Sequence, residues 1–112
     1  MTAQEIFDQV VRHLLTQRRR ATGSGDRNGL CSYRTPEGLR CAVGCLIPDD
    51  VYTPDMEDKG IDDLIEDWEE LSWMREHEKL LSKLQYVHDN EDVDDWEKEL
   101  AQVALDNELS MP

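Results

Sequence analysis

The stretch "LCSYRTPEGLRCAVGCLIPDD", Leu30 to Asp50, holds all three cysteines of the chain. Its reading decides whether the fold contains any sheet. Thr35-Pro36-Glu37-Gly38 has the residues of a type I turn, with Pro second and Gly fourth. A glycine there commonly takes the left-handed conformation and closes a three-residue hairpin loop with a bulge. The spacing therefore predicts a short hairpin, Leu30–Arg34 with Leu39–Ala42. In that register Thr35 faces Leu39, Tyr33 faces Cys41 and Cys31 faces Val43. Beyond it, "CAVGCLI" either continues the strand or coils into one or two helical turns before Pro48; the short helix, with Cys41 and Cys45 on one face at i and i+4, is the preferred reading.

Working outward, Thr2 and Glu5 have capping-box spacing. Behind them Ile6, Phe7, Val10, Val11, Leu14 and Leu15 recur at helical intervals and predict an amphipathic first helix. It ends in Arg18, Arg19 and Arg20, cations where the helix dipole favours them. "ATGSGDRNG", residues 21–29, reads as a flexible exposed loop. Residues 47–60, with Pro48, Pro54 and Gly60, read as a second loop. Ile61, Leu64, Ile65, Trp68 and Leu71 predict a second helix. A third runs from Trp73 to His88, and a fourth from Val93 to Glu108 with Val93, Trp96, Leu100, Val103 and Ala104 inward. The expected architecture is one α+β domain over residues 1–112. It is mainly helical, with about four helices and one short β-hairpin around residues 30–42.

Composition narrows the function. The chain has 112 residues, 38% hydrophobic and 34% charged, with a net charge of −14. Such a charge disfavours direct binding to nucleic acid or to anionic membranes. No apolar run approaches a membrane span. The N-terminus places Gln4, Glu5 and Asp8 where a signal peptide needs positive and then uninterrupted apolar residues, so a cytoplasmic location is expected. An odd number of cysteines agrees with a reducing compartment. The charge is also unevenly divided. Residues 1–48 hold seven arginines and no lysine against four acids, a net of +3; residues 49–112 hold five bases against 22 acids, a net of −17.

Cys31, Cys41 and Cys45 are spaced C-x9-C-x3-C. Structural zinc sites usually use a C-x2-C or C-x4-C knuckle and a second ligand pair. Here a fourth ligand would have to come from His13, His77 or His88, none of which has a partner at ligand spacing. The plainer reading is that the thiols are small buried apolar groups among Ala42, Val43, Leu46 and Ile47. No thioredoxin-type C-x-x-C occurs, and no neighbouring His serves a cysteine as base. Arg34 and Arg40 would lie opposite each other across the hairpin. Either acidic helices packed alongside neutralise them, or they form an anion site with guanidinium forks as ligands.

The segment Cys31–Tyr52, "CSYRTPEGLRCAVGCLIPDDVY", resembles one found in small uncharacterised proteins of bacteriophages, prophages and their hosts. In those proteins a Cys-x-Tyr-Arg unit precedes a Gly and then a C-A-V/I-G-x-L-I-P-D run. The resemblance covers 22 of the 112 residues. It implies a phage or mobile-element context, hence the host cytoplasm, and no catalytic residue.

The acidic stretches have their own readings. "DNEDVDDWEKEL", Asp89 to Leu100, has Asp94 where an EF-hand needs Gly and Val93 where it needs an oxygen ligand, so it is not one. Adjacent carboxylates such as Asp49-Asp50 and Glu69-Glu70 read as solvated helix faces rather than acid–base pairs held across a cleft. P-loop, dinucleotide and metalloprotease signatures do not occur. Trp68, Trp73 and Trp96 sit at core spacing, with Trp73 also placed as a candidate partner anchor at a helix junction.

Two functions are consistent with these features. The first is a small non-enzymatic interaction protein, with no cofactor. Its acidic face of Asp62, Asp63, Glu66, Asp67, Glu69, Glu70, Asp92, Asp94, Asp95, Glu97 and Glu99 docks onto a basic surface of a host protein. In a phage context this is a modulator or inhibitor of a host nucleic-acid-binding protein. The alternative is a metal- or ligand-binding protein, or small enzyme, using Cys31, Cys41 and Cys45 with Arg34 and Arg40. A homodimer pairing the basic N-terminal helix with the acidic helices also fits the charge division.

Overall fold

Thr2 opens the first helix as its spacing requires. Its hydroxyl accepts the Glu5 N–H at 3.1 Å, and the Glu5 carboxylate accepts the Thr2 N–H at 2.8 Å. The bond from the Thr2 backbone holds the Glu5 carboxyl below its ordinary range. The computed structural model describes residues 1–22 and 31–112. They form a mainly helical single domain with four helices: α1 (Ala3–Gln17), α2 (Ile61–Asp67), α3 (Glu78–Asn90) and α4 (Trp96–Asp106). α3 packs against the other three, and α1 also packs against α4 and against a 3₁₀ turn at Gly44–Leu46. Phe7, Leu14, Leu64, Leu81, Leu84, Trp96 and Leu100 are fully buried at the centre. No helix among the described residues is long and apolar enough to cross a membrane.

The hairpin is the main correction. Among the described residues there is no β-strand, and Leu30 and residues 23–29 of the expected loop lie outside them. The turn itself forms: the Gly38 N–H reaches the Thr35 carbonyl at 3.0 Å, and Gly38 has φ +93°. The bridge expected between Arg34 and Arg40 also forms, but in isolation. Three competitors stop the ladder. The Ser32 N–H turns to the Ala21 carbonyl at 2.7 Å, so Cys31 bridges to Thr22 rather than facing Val43. The Tyr33 and Arg34 N–H groups donate to the Glu57 carboxylate. Finally, the chain after Ala42 coils back, and Gly44 presses onto the Tyr33 carbonyl. Ala21, expected in the exposed loop, is fully buried by this arrangement.

The second and third helices also differ from expectation. α2 ends at Asp67, and Glu69–His77 winds as a 3₁₀ run before α3 begins at Glu78. Trp68 is extended, at φ −120° and ψ 106°. α2 already ends on Glu66 and Asp67 with no basic residue in its last turn, and continuing it to Leu71 would add Glu69 and Glu70 at the end where the dipole opposes negative charge. Trp96 is core as expected, whereas Trp68 and Trp73 are both half-buried.

A methyl group at Gly44 would stand 1.9 Å from the Tyr33 carbonyl oxygen, with no flexible side chain to yield. Gly44→Ala is therefore expected to destabilise the fold by at least about 1–3 kcal/mol, read as a lower urea midpoint in chemical unfolding.

Candidate functional site

Among the described residues there is no sheet to satisfy the backbone of the segment from Cys31 to Ile47. Buried N–H and C=O groups left unpaired are costly, and here side chains supply the partners. Gln17 at the end of α1 acts as a substitute strand. Its Oε1 accepts the Arg40 N–H at 3.0 Å, and its Nε2 donates to the Arg40 carbonyl at 2.9 Å. The His13 ring donates from Nε2 to that same carbonyl at 2.8 Å, and burial lowers the pKa of the ring. Glu57 accepts from the Tyr33 N–H at 2.9 Å, the Arg34 N–H at 3.2 Å and the Tyr52 hydroxyl.

α3 contributes a second group of side chains. Gln85, His88 and Asp89 fall at i, i+3 and i+4 and so share one helix face. Gln85 Oε1 accepts the Val43 N–H at 3.0 Å, and its Nε2 donates to Asp89 Oδ1 at 2.8 Å. His88, fully buried, accepts the Ala21 N–H on Nε2 at 3.0 Å. Its Nδ1 must then carry the proton, which it donates to Asp89 Oδ1 at 2.7 Å. One carboxylate thus anchors both halves of a network running from Val43 to Ala21. A cavity of about 500 Å³ opens beside it, lined among others by Cys31, Tyr33, Glu57, Gln85, Tyr86 and Asp89. Burial pushes the Tyr33 phenol far above its ordinary pKa, and its hydroxyl donates to the Lys59 carbonyl.

The three thiols do not converge. Among the described residues, the one group of potential metal ligands lying together is Cys31, His88 and Asp89. Cys41 is fully buried and accepts the Gly44 N–H on sulfur at 3.2 Å; Cys45 donates to the Ala42 carbonyl at 3.1 Å. Burial raises both, the Cys45 thiol to about 12 and Cys41 further. They pack as small apolar groups.

Arg34 and Arg40 do converge on one anion, and that anion is the chain's own Asp49, at 2.9 and 3.1 Å. Arg34 also donates to the Ile47 carbonyl and lies 4.9 Å from the centre of the Tyr52 ring. The acidic helices do not supply the counter-charge. Asp62, Asp63, Glu66, Asp67, Glu69, Glu70, Asp92, Asp94 and Glu97 are exposed; Asp95 and Glu99 are half-exposed. Of these eleven, only Glu66 makes an ion pair among the described residues, with Arg75 at 3.4 Å. They are carried by two stretches, Asp62–Glu70 and Asp92–Glu99, whose helices α2 and α4 each pack on α3.

Sequence reasoning missed Gln17, Asp49, Glu57, Gln85 and Asp89. For the α3 residues a signal existed, since three polar side chains on one face of a helix that is otherwise apolar inward mark a buried network. For Glu57, inside a Pro- and Gly-punctuated loop, none did. No family model, curated protein or solved structure matches the chain.

Two outcomes follow for the buried groups. Alkylation at mildly alkaline pH, mapped by mass spectrometry, should leave Cys41 and Cys45 unmodified in the folded chain and label both after unfolding, because so little of either thiol is ionised. Gln85→Leu removes the acceptor of the Val43 N–H and should cost about 1–3 kcal/mol in chemical unfolding.

Proposed function

We propose that this chain is a small non-enzymatic interaction protein whose acidic helical surface docks onto a basic surface of another protein. The observation that carries this reading is the local use of the arginines. Arg34 and Arg40 are held by Asp49, and Arg20 donates to the His88 and Glu91 carbonyls at the end of α3. Among the described residues, the acids of α2, the 3₁₀ run and α4 make one ion pair, Glu66 with Arg75. Exposed like charges at this density repel one another, and a basic partner relieves that repulsion while releasing bound counterions.

The resemblance of Cys31–Tyr52 to phage and prophage proteins supports a host nucleic-acid-binding protein as the partner. Carboxylates on helices would then stand in for phosphates, which duplex DNA spaces at about one charge per 1.7 Å of axis. A protein working this way acts as a competitor for the nucleic-acid site and needs neither catalytic group nor cofactor.

Affinity capture from bacterial lysate at low salt is expected to retain a basic nucleic-acid-binding protein, released as salt rises through the physiological range. A variant with Asp62, Asp63, Glu66, Asp67, Glu69 and Glu70 converted to their amides should lose that capture while keeping its helical circular dichroism. Retention of no basic protein at low salt, or capture unaffected by the amide substitutions, would sink the proposal.

A further inference from the structure

The thiols that the sequence places together are not the ones that share a site; Cys31 instead meets two α3 side chains that the charge-mimicry reading does not use. We infer that Cys31, His88 and Asp89 form a divalent-metal site of the zinc class. A thiol sulfur, a ring nitrogen and a carboxylate oxygen from these residues lie mutually within 4.8 Å. That donor set, one soft and two borderline-to-hard ligands, is one that zinc accepts, and two anionic ligands neutralise a divalent ion.

The second observation is the arrangement of protons. His88 Nδ1 and Asp89 Oδ1 face each other across a single proton at 2.7 Å, and Cys31 adjoins them. A metal ion takes the place of that proton. On binding, the Cys31 thiol releases its proton to solvent, and the His88 proton moves from Nδ1 to Nε2. The Nε2–H then faces the Ala21 N–H, so two buried donors lack an acceptor and the hydrogen bond to Asp89 is given up, a cost that the new metal–ligand bonds must exceed. Gln85, which donates to Asp89 Oδ1, remains to orient the carboxylate.

The third observation is the cavity. Cys31 and Asp89 both line it, so a space of about 500 Å³ adjoins two of the three ligands and leaves room for a fourth to approach. Three protein ligands with an open position facing a cavity is the arrangement of zinc sites that hold water or an exchangeable ligand. The acidic docking surface shares neither Cys31 nor His88 nor Asp89, so the two readings stand or fall separately.

The test is a titration of the chelator-stripped full-length chain with Co²⁺, read by optical absorption. The expected result is a thiolate-to-cobalt charge-transfer band that saturates at one metal per chain and is displaced by Zn²⁺. Cys31→Ser should abolish the band, Asp89→Asn should weaken binding by about tenfold or more, and Cys45→Ser should change neither. Circular dichroism confirms that each variant is folded. Absence of the band in the folded chain, or its survival in Cys31→Ser, would overturn the site. Loss of the band in Cys45→Ser would overturn it too, by moving the metal to the Cys41–Cys45 pair.

Discussion

A segment with no sheet partner runs through the centre of this protein, and the need to satisfy its backbone shapes everything around it. The amides of Tyr33, Arg34, Arg40 and Val43 are met by Glu57, Gln17 and Gln85 rather than by a neighbouring strand. This explains why polar residues occupy inward positions on α1 and α3. It also explains why Glu57, in the middle of a loop, accepts three hydrogen bonds. Each such bond contributes only about 1 kcal/mol net, but each missing partner would cost more than that. The arrangement is therefore a constraint on sequence more than a source of stability.

The same economy governs the charges. Three arginines of the N-terminal half are engaged in this way, Arg34 and Arg40 on Asp49 and Arg20 on carbonyls at the end of α3. Asp49 is largely exposed, so its pairs with Arg34 and Arg40 add little to stability. Their effect is on the field of the molecule: both guanidinium charges are held on Asp49, away from the acids of α2 and α4. Because Asp49 belongs to the acidic part of the sequence, these pairs cross the division between its +3 and −17 parts, and the acids of Asp62–Glu70 and Asp92–Glu99 stand outside them.

Much of this was legible in the sequence, and the rest fails for identifiable reasons. The capping box at Thr2, the apolar stripe of α1 and the turn at Thr35–Gly38 depend on neighbours within a few residues, and all three formed. The short helical turn after Ala42 and the register that sets Arg34 against Arg40 also formed. What failed were inferences that needed distant partners. The hairpin was stopped by Ala21 and Glu57, neither of which is near it in sequence. α2 stopped early, at an extended Trp68, a break that apolar periodicity does not register. The exposure of the acidic residues was visible in advance, while Cys31 joining His88 and Asp89 depended on a fold no local pattern encodes.

One consequence concerns how the segment depends on distant parts of the chain. Gln17 lies 23 residues from the Arg40 backbone it pairs with, Gln85 lies 42 from Val43, and His88 lies 67 from Ala21. Each of those bonds closes a long loop before any contact rewards it. The turn at Thr35–Gly38 and the Arg34–Arg40 bridge are local, but the backbone of Arg40 and Val43 depends on side chains that α1 and α3 present. The conformation of the segment is completed by side chains of α1 and α3, so a substitution on either helix reaches the cysteine-bearing centre of the molecule.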